Sequence, residues 1–198
     1  AMLSVAKELF AKIDNNDKAR TEWFDCGAES LNLKPNEIDL CTLLQGPNFL
    51  SDPKKVLKGV IGALRPSGRV VASAWDRIEE NKGHFAIASA LKKLWVQPAL
   101  KPFSMGSPAL LKDIFVGSGF VIENFYTEQK IISFNSVKEF VSGVAAGAPA
   151  TRHAISQLSL SKYEDFFQMV EELLVDYSST NGLNLPTQAH IVQAVPAN

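Results

Sequence analysis

The sequence has few of the residues that cross-link a small fold or bind a metal. Among its 198 residues are two cysteines, Cys26 and Cys41, and three histidines, His84, His153 and His190. Both cysteines lie in apolar stretches, which favours reduced core residues over the disulfide framework of a secreted protein. The histidines are far apart in sequence and no Cys/His cluster has metal-ligand spacing, so we predict no structural metal.

The chain also lacks an excess of charge and a long apolar run. Lys and Arg total 20 and Asp and Glu total 21, and no arginine-rich stripe indicates nucleic-acid binding. No apolar run reaches the roughly 18 residues that would span a bilayer. The amphipathic start has neither a basic leader nor a cleavage site, so we predict no signal peptide and an intracellular, cytoplasmic protein.

What is present is the composition of a globular domain. Apolar residues make up 46% of the chain and charged residues 21%, both ordinary values. A chain of this length suggests one domain, and it can bury a sizeable core without cross-links.

The first half of the chain reads as alternating helices and strands. Apolar spacing predicts helices over residues 3–14 and 52–64. The segment TEWFDC (21–26) reads as a short strand, and the apolar run EIDLCTLL (37–44) reads as a strand buried on both faces. With the buried strand 69–75, the order strand, helix, strand predicts a parallel βαβ unit.

The second half predicts further helices and strands. Helices are expected at 84–97, from Ser107 or Pro108 to Gly117 or Gly119, after a capping Ser136, and at 161–180; strands are expected twice within 120–134 and once at 187–196. In the last strand His190 and Val192 would share one face. The small-residue stretch 143–150 is either a hinge or lid, or a site of close helix packing, and we favour the packing.

Six segments, in order, resemble the class I S-adenosylmethionine (SAM) dependent methyltransferases of the small-molecule branch. They are the start ML with Ala6, then WFDCGAESL, IDL, VLKGVIGALRPSGRVVASAW, FSMGSPALLKDIFVGSGF and LPTQAHIVQAV. The resemblance implies an incomplete Rossmann-like α/β fold, with a mostly parallel sheet, an antiparallel C-terminal strand and helices on both faces. It implies one domain over residues 1–198, in which 1–83 is a remnant of the cofactor half and 84–198 is the substrate side.

The resemblance leaves the cofactor site incomplete. The glycine-rich loop of the family, where backbone amides meet SAM, does not occur in this sequence. The family's adenine-binding aspartate aligns with Gly27, which has no acceptor, although Asp25 lies two residues away on the same strand face. Vestigial cofactor contacts are expected at these two positions and at Ala28, Glu29 and Gln45. A glutamate like Glu29 is more often simply a solvated helix start. We therefore expect no intact cofactor site, with SAM implied by resemblance only.

The same resemblance suggests a substrate pocket. Its candidate residues are Asn48, Trp75, His84, Phe103 and Met105. Three of them have a structural alternative. Asn48 could equally belong to a polar turn, while for Trp75 a core position and for His84 a surface or core position, rather than a role as base, are favoured. Methyl transfer depends mainly on proximity and orientation, so no catalytic residue is assigned.

An incomplete sheet would expose an apolar strand edge, which invites pairing with another chain. Segment 21–26 could move beside segment 37–44, two copies could pair, or another protein could supply the missing strands. We therefore expect self-association or a protein partner, with a small-molecule ligand as a further candidate. The favoured function is a degenerate methyltransferase-like protein, non-catalytic by itself, that acts as a binding or scaffold protein. The alternative is a small-molecule SAM-dependent methyltransferase, present as a fragment or completed by another chain.

Overall fold

A computed structural model describes residues 2–13 and 19–197 of the chain. Its helices are α1 (Met2–Ala11), α2 (Pro53–Ala63), α3 (Lys82–Lys93), α4 (Pro108–Val116), α5 (Val137–Gly147), α6 (Pro149–Ser156) and α7 (Leu160–Leu173). Its strands are β1 (Ile38–Leu44), β2 (Leu64–Trp75), β3 (Phe120–Phe134), β4 (Ser178–Ser179) and β5 (Gly182–Pro196). Position 14, the predicted end of the first helix, lies outside the described residues. No helix in this part of the chain is long and apolar enough to cross a membrane.

The strands form one mixed sheet in the order β1-β2-β5-β3, and β4 pairs with β5. The β1–α2–β2 unit is parallel, as the sequence predicts. The other pairings of the described strands, β2 with β5, β3 with β5 and β4 with β5, are antiparallel. The expected α/β architecture is confirmed, including the mostly parallel sheet with an antiparallel C-terminal strand. Strands β1, β2 and β3 run in one direction, and among the described strands β5 alone runs in the opposite direction.

The predicted strand at residues 21–26 does not form. All six residues are exposed, including Cys26, which was expected in the core. A strand needs a partner backbone, and this segment instead contacts α1 through Trp23, whose ring meets the edge of Phe10 at 5.7 Å between centroids. The first of the three arrangements for the sheet, with this segment beside β1, is therefore not found.

Strand β1 is an edge strand, not a strand buried on both faces. Leu40 and Leu44 are 53% and 69% exposed, while Cys41 and Leu43 pack against the core on the opposite face. The apolar run alone could not distinguish the two cases, because burial depends on what lies beside the strand.

Residues 120–134 form one strand where two were expected. Strand β3 pairs along its length with β5 and has one register shift, between Ile122 and Asn124. The long antiparallel pair of β3 and β5 forms the half of the sheet opposite β1 and β2.

The core consists of two clusters on opposite faces of the sheet. One contains Val192 and Ala194 of β5 and packs against α2 and α4. The other contains Leu183 and Leu185 of β5 and packs against α3, α5, α6 and α7. Even and odd residues of a strand point to opposite faces, so helices cover both faces, as expected.

Candidate functional site

A cavity of about 280 Å³ opens near the carboxyl end of β2. The residues of its wall that matter most for ligand chemistry are Phe49, Trp75, His84, Phe103, Gly147 and Thr151. No charged side chain of the described residues lines it. The cavity is therefore apolar and aromatic, with few polar groups.

Three of the five predicted pocket residues meet in this wall. The ring of His84, in the first turn of α3, lies 6.1 Å from that of Trp75 and 5.3 Å from that of Phe103 between centroids. Trp75 ends β2, and Phe103 ends a short 3-10 helix, Lys101–Phe103. The structure brings these residues together, while their role in binding a substrate stays a prediction.

The imidazole of His84 is the main polar group of the cavity. Burial lowers the pKa of His84 below its ordinary value, because removal from water disfavours the charged form. Near neutral pH the ring is therefore uncharged. It contacts the rings of Trp75, Phe103 and Phe140 and makes no hydrogen bond within the described residues, so it can bond to a ligand.

Asn48 and Met105 do not line this cavity. Asn48 is buried, and its Nδ2 donates to the carbonyl oxygen of Pro102 at 3.0 Å, which ties the loop after β1 to the short helix that carries Phe103. Met105 packs against the core cluster of α2 and α4. Asn48 therefore supports the site from outside its wall, and Met105 belongs to the core.

The residues expected near a cofactor lie apart from the cavity. Asp25, Gly27 and Ala28 are exposed. Glu29 has a different role, because its Oε1 accepts from the backbone amide of Ser51 at 2.7 Å and from that of Asp52 at 3.4 Å.

The Glu29 carboxylate therefore anchors its loop to the start of α2 instead of ending in solvent. Its own backbone amide first, and that of Ser51 second, hold the pKa of Glu29 below its ordinary value. Hydrogen bonds to the charged form stabilise it.

Two buried acceptors remain at the carboxyl end of β1. Gln45 has a left-handed backbone, with φ of 52°. Its Oε1 and the Oδ1 of Asn48 are buried without a hydrogen-bond partner among the described residues. An unpaired buried acceptor is costly, so both oxygens suit hydrogen-bond donors from a group that approaches this edge.

A buried polar group that sequence reasoning did not assemble lies at the end of β2. His190 of β5 places Nε2 3.1 Å from Oδ1 of Asp76 and 3.2 Å from the carbonyl oxygen of Gly106. Both are acceptors, so Nε2 carries a proton; Nδ1 lies 2.9 Å from the hydroxyl oxygen of Thr127. The signal in the sequence was a histidine on the inward face of a strand, but its partner is 114 positions away (190 minus 76).

This group fixes the chain around the cavity. A Cβ atom on Gly106 would lie 2.5 Å from the backbone nitrogen of Arg77, so only glycine permits the close approach of the two segments. The network holds the segment that follows Phe103 against the end of β2, and it thereby positions two walls of the site.

The beginning of the chain is similar in sequence to a known protein family. Residues 1–72 match the model of the methyltransferase domain family. The comparison with curated proteins found no match.

Similar solved structures include a Bacillus halodurans protein assigned as a methyltransferase, at 9% identity and TM-score 0.61, which aligns with 99% of this chain and 79% of its own. Loganic acid methyltransferase with SAH aligns at 10% identity and TM-score 0.56, over 98% and 71%. The cyclase SpnF aligns at 14% identity and TM-score 0.53, over 99% and 63%.

These identities establish the fold and not the reaction, and one of the similar structures is a cyclase. With the match of residues 1–72, they give the conclusion that the chain has the fold of the class I SAM-dependent methyltransferases and resembles their methyltransferase domain in sequence.

Proposed function

We propose that this methyltransferase-like chain binds a small neutral molecule in the cavity beside Trp75, and that alone it acts by binding rather than by catalysis. The observation that carries the proposal is a cavity walled by aromatic rings, without a charged side chain, around one uncharged imidazole. Its volume of about 280 Å³ is near the lower end of the range for ligand pockets.

The chemistry of the wall limits the ligand. A charged molecule would lose its hydration without an opposite charge to replace it, which is unfavourable. Trp75 and Phe103 favour a flat apolar ring by stacking or edge contact. The neutral His84 ring can accept a hydrogen bond from a hydroxyl group, so a phenol-like ligand satisfies both requirements.

The same proposal holds that the described residues do not complete a SAM site. Gly27 has no side chain, Asp25 is exposed, and the carboxylate of Glu29 is used on the amides of Ser51 and Asp52. The acceptors of Gln45 and Asn48 could receive donors at one end of a SAM molecule, but the adenine and ribose would lack partners. No methyl-transfer step is therefore assigned to this chain alone.

A second candidate is a small-molecule methyltransferase completed by further protein. The edge position of β1 supports it. Leu40 and Leu44 are exposed, and the outer backbone edge of β1, which no other described strand pairs, invites a neighbouring strand. Added strands would also bring backbone donors near Gln45. In this second candidate function, self-association or a protein partner would complete both the sheet and the SAM site.

Light scattering of Leu44→Lys beside the unchanged chain tests self-association through this edge. The variant is expected to be monomeric where the parent forms larger species, since a lysine on an edge strand disfavours pairing. A monomeric parent would count against self-association.

Tryptophan emission tests the ligand proposal directly. The chain has three tryptophans, so a protein with Trp23→Phe and Trp95→Phe reports on Trp75 alone. Titration with phenol should change that emission with saturation, and His84→Phe should weaken the effect. An unchanged emission at millimolar phenol would contradict the proposal.

A further inference from the structure

A second cavity of about 190 Å³ adjoins the first. It lies between α5 and the strands β3 and β5, with Ile132, Phe140 and Leu185 in its wall. Trp75 and His84 belong to the walls of both cavities. The two rings therefore stand at the boundary between the cavities.

The second cavity offers a ligand almost only apolar surface. The hydroxyl of Thr187 in its wall donates to Oδ1 of Asn81 at 2.8 Å. The side-chain amide of Asn81 in turn donates to the carbonyl oxygens of Asp76 and Arg77. These polar side chains are already paired, and no charged side chain of the described part lines the space. The second cavity therefore suits the alkyl part of a ligand.

Two glycines of α5 border the two cavities. Gly143 lines the second and Gly147 the first, and residues four apart lie on one face of a helix. A Cβ atom at either position would meet no atom within 4 Å. The expectation that the stretch 143–150 reflects close helix packing is therefore wrong at these two residues, which leave the space open.

We propose that the two cavities form one divided site for a neutral molecule with two parts. A hydroxyl-bearing aromatic ring occupies the first cavity and bonds to His84, and an alkyl branch of the same molecule enters the second. This inference rests on the proposed function of the first cavity. It adds the class of ligand, an alkyl-substituted phenol, and makes Gly143 the residue that decides whether the branch is accepted.

Calorimetric titration with phenol and its para-alkyl derivatives from methyl to butyl tests the inference. In the unchanged chain, affinity should rise about fourfold for each added methylene that is buried. In Gly143→Phe the phenol affinity should remain while the rise with chain length disappears. In Gly147→Phe binding of phenol itself should weaken.

Two further variants make the test decisive. Gly59→Phe is the matched control, because Gly59 lies in α2, lines neither cavity and would also meet no atom with an added Cβ. It should leave the whole series unchanged. Ile132→Trp fills the second cavity from the opposite wall and should also abolish the rise, so the test does not depend on how the ring introduced by Gly143→Phe turns.

The outcomes separate this inference from the function on which it rests. If phenol binds but longer chains add no affinity, or if neither Gly143→Phe nor Ile132→Trp reduces the increments, the divided site is overturned and the first cavity stands. If phenol does not bind to the unchanged chain, the proposed function fails and the inference fails with it.

Discussion

The part of the chain before α2 and the part that follows differ sharply in how much they bury. Among the described residues before α2, only Pro47 and Asn48 are buried, and α1 contributes no buried residue. Both core clusters are built from residues that begin with α2. The match to the methyltransferase domain nevertheless covers residues 1–72, so the family signal includes the region that packs least on its own chain.

This difference teaches that the region with sequence similarity to a family need not be the region that forms the hydrophobic core. The N-terminal part retains a family pattern, but its apolar side chains, such as Phe24, Leu40 and Leu44, remain more than half exposed. Exposed apolar surface of this kind often marks an interaction site. The C-terminal part holds the buried residues of both core clusters and, apart from Phe49, the named wall residues of both cavities, which is why the proposed binding function is assigned there.

The largest effect that would test the comparison comes from truncating one apolar side chain in each region, a buried one in α7 and an exposed one in α1. Phe166→Ala in α7 should lower the free energy of unfolding by about 3–5 kcal/mol, because the side chain is fully buried. Leu9→Ala in α1 should change it by less than about 0.5 kcal/mol, because Leu9 is 59% exposed. Urea unfolding measures both. Equal losses would show that the two regions fold as one equally packed unit.

A smaller effect is expected from the buried polar group of the C-terminal part. Asp76→Ala leaves His190 without its carboxylate partner, and should lower stability by about 1–3 kcal/mol. Asp76→Asn retains an acceptor oxygen and should recover part of the loss. Asp113→Ala on the exposed side of α4 is the matched control and should be nearly neutral; a similar loss there would refute a specific role for the network.

The pH dependence of His84 sharpens the comparison further. The folded pKa of His84 is lowered by burial, so the unfolded chain takes up this proton at a higher pH than the folded chain. The stabilisation of the folded chain by the neutral His84 ring is fully present above the unfolded pKa of about 6.5. This stabilisation is lost as pH falls through the folded pKa.

Proton NMR of the imidazole should show His84 titrating below the ordinary value, and bound phenol should lower it further if the neutral ring accepts the hydroxyl. His153→Gln and His190→Gln identify the signal by elimination. A titration at or above the ordinary value would contradict an imidazole that partial burial keeps neutral.

The smallest effect concerns the N-terminal part. Backbone amides lower the folded pKa of Glu29, so its stabilisation is present above the unfolded pKa of a glutamate and is lost as pH falls through the folded value. In Glu29→Gln, the free energy of unfolding should therefore depend less on pH at acidic pH. Glu37→Gln serves as an exposed control. If it reduced the pH dependence of the unfolding free energy equally, the result would contradict an anchoring role for Glu29.

Local signals explain most of what the sequence predicted correctly. The helix starts at Ser107 and Ser136 are capped as expected, since each hydroxyl accepts the amide three residues on. Such caps depend only on neighbouring residues. The strand at 21–26 failed for the opposite reason, because strand formation needs a partner that is distant in sequence.

The site was predicted in part for the same reason. Trp75, His84 and Phe103 meet in one wall because each ends or begins an element near the carboxyl end of β2, which the order of elements indicates. The pairing of Asp76 with His190 and the adjoining second cavity depend on the packing of distant segments. Side-chain pattern alone could not place them.

The measurement that tests the account most directly is a calorimetric titration of SAM, and of its demethylated product, into the purified chain. The account predicts no measurable binding of either at high concentration, while phenol still binds at the cavity of the C-terminal part. Micromolar binding of SAM would contradict it, because it would mean that this chain completes a cofactor site after all.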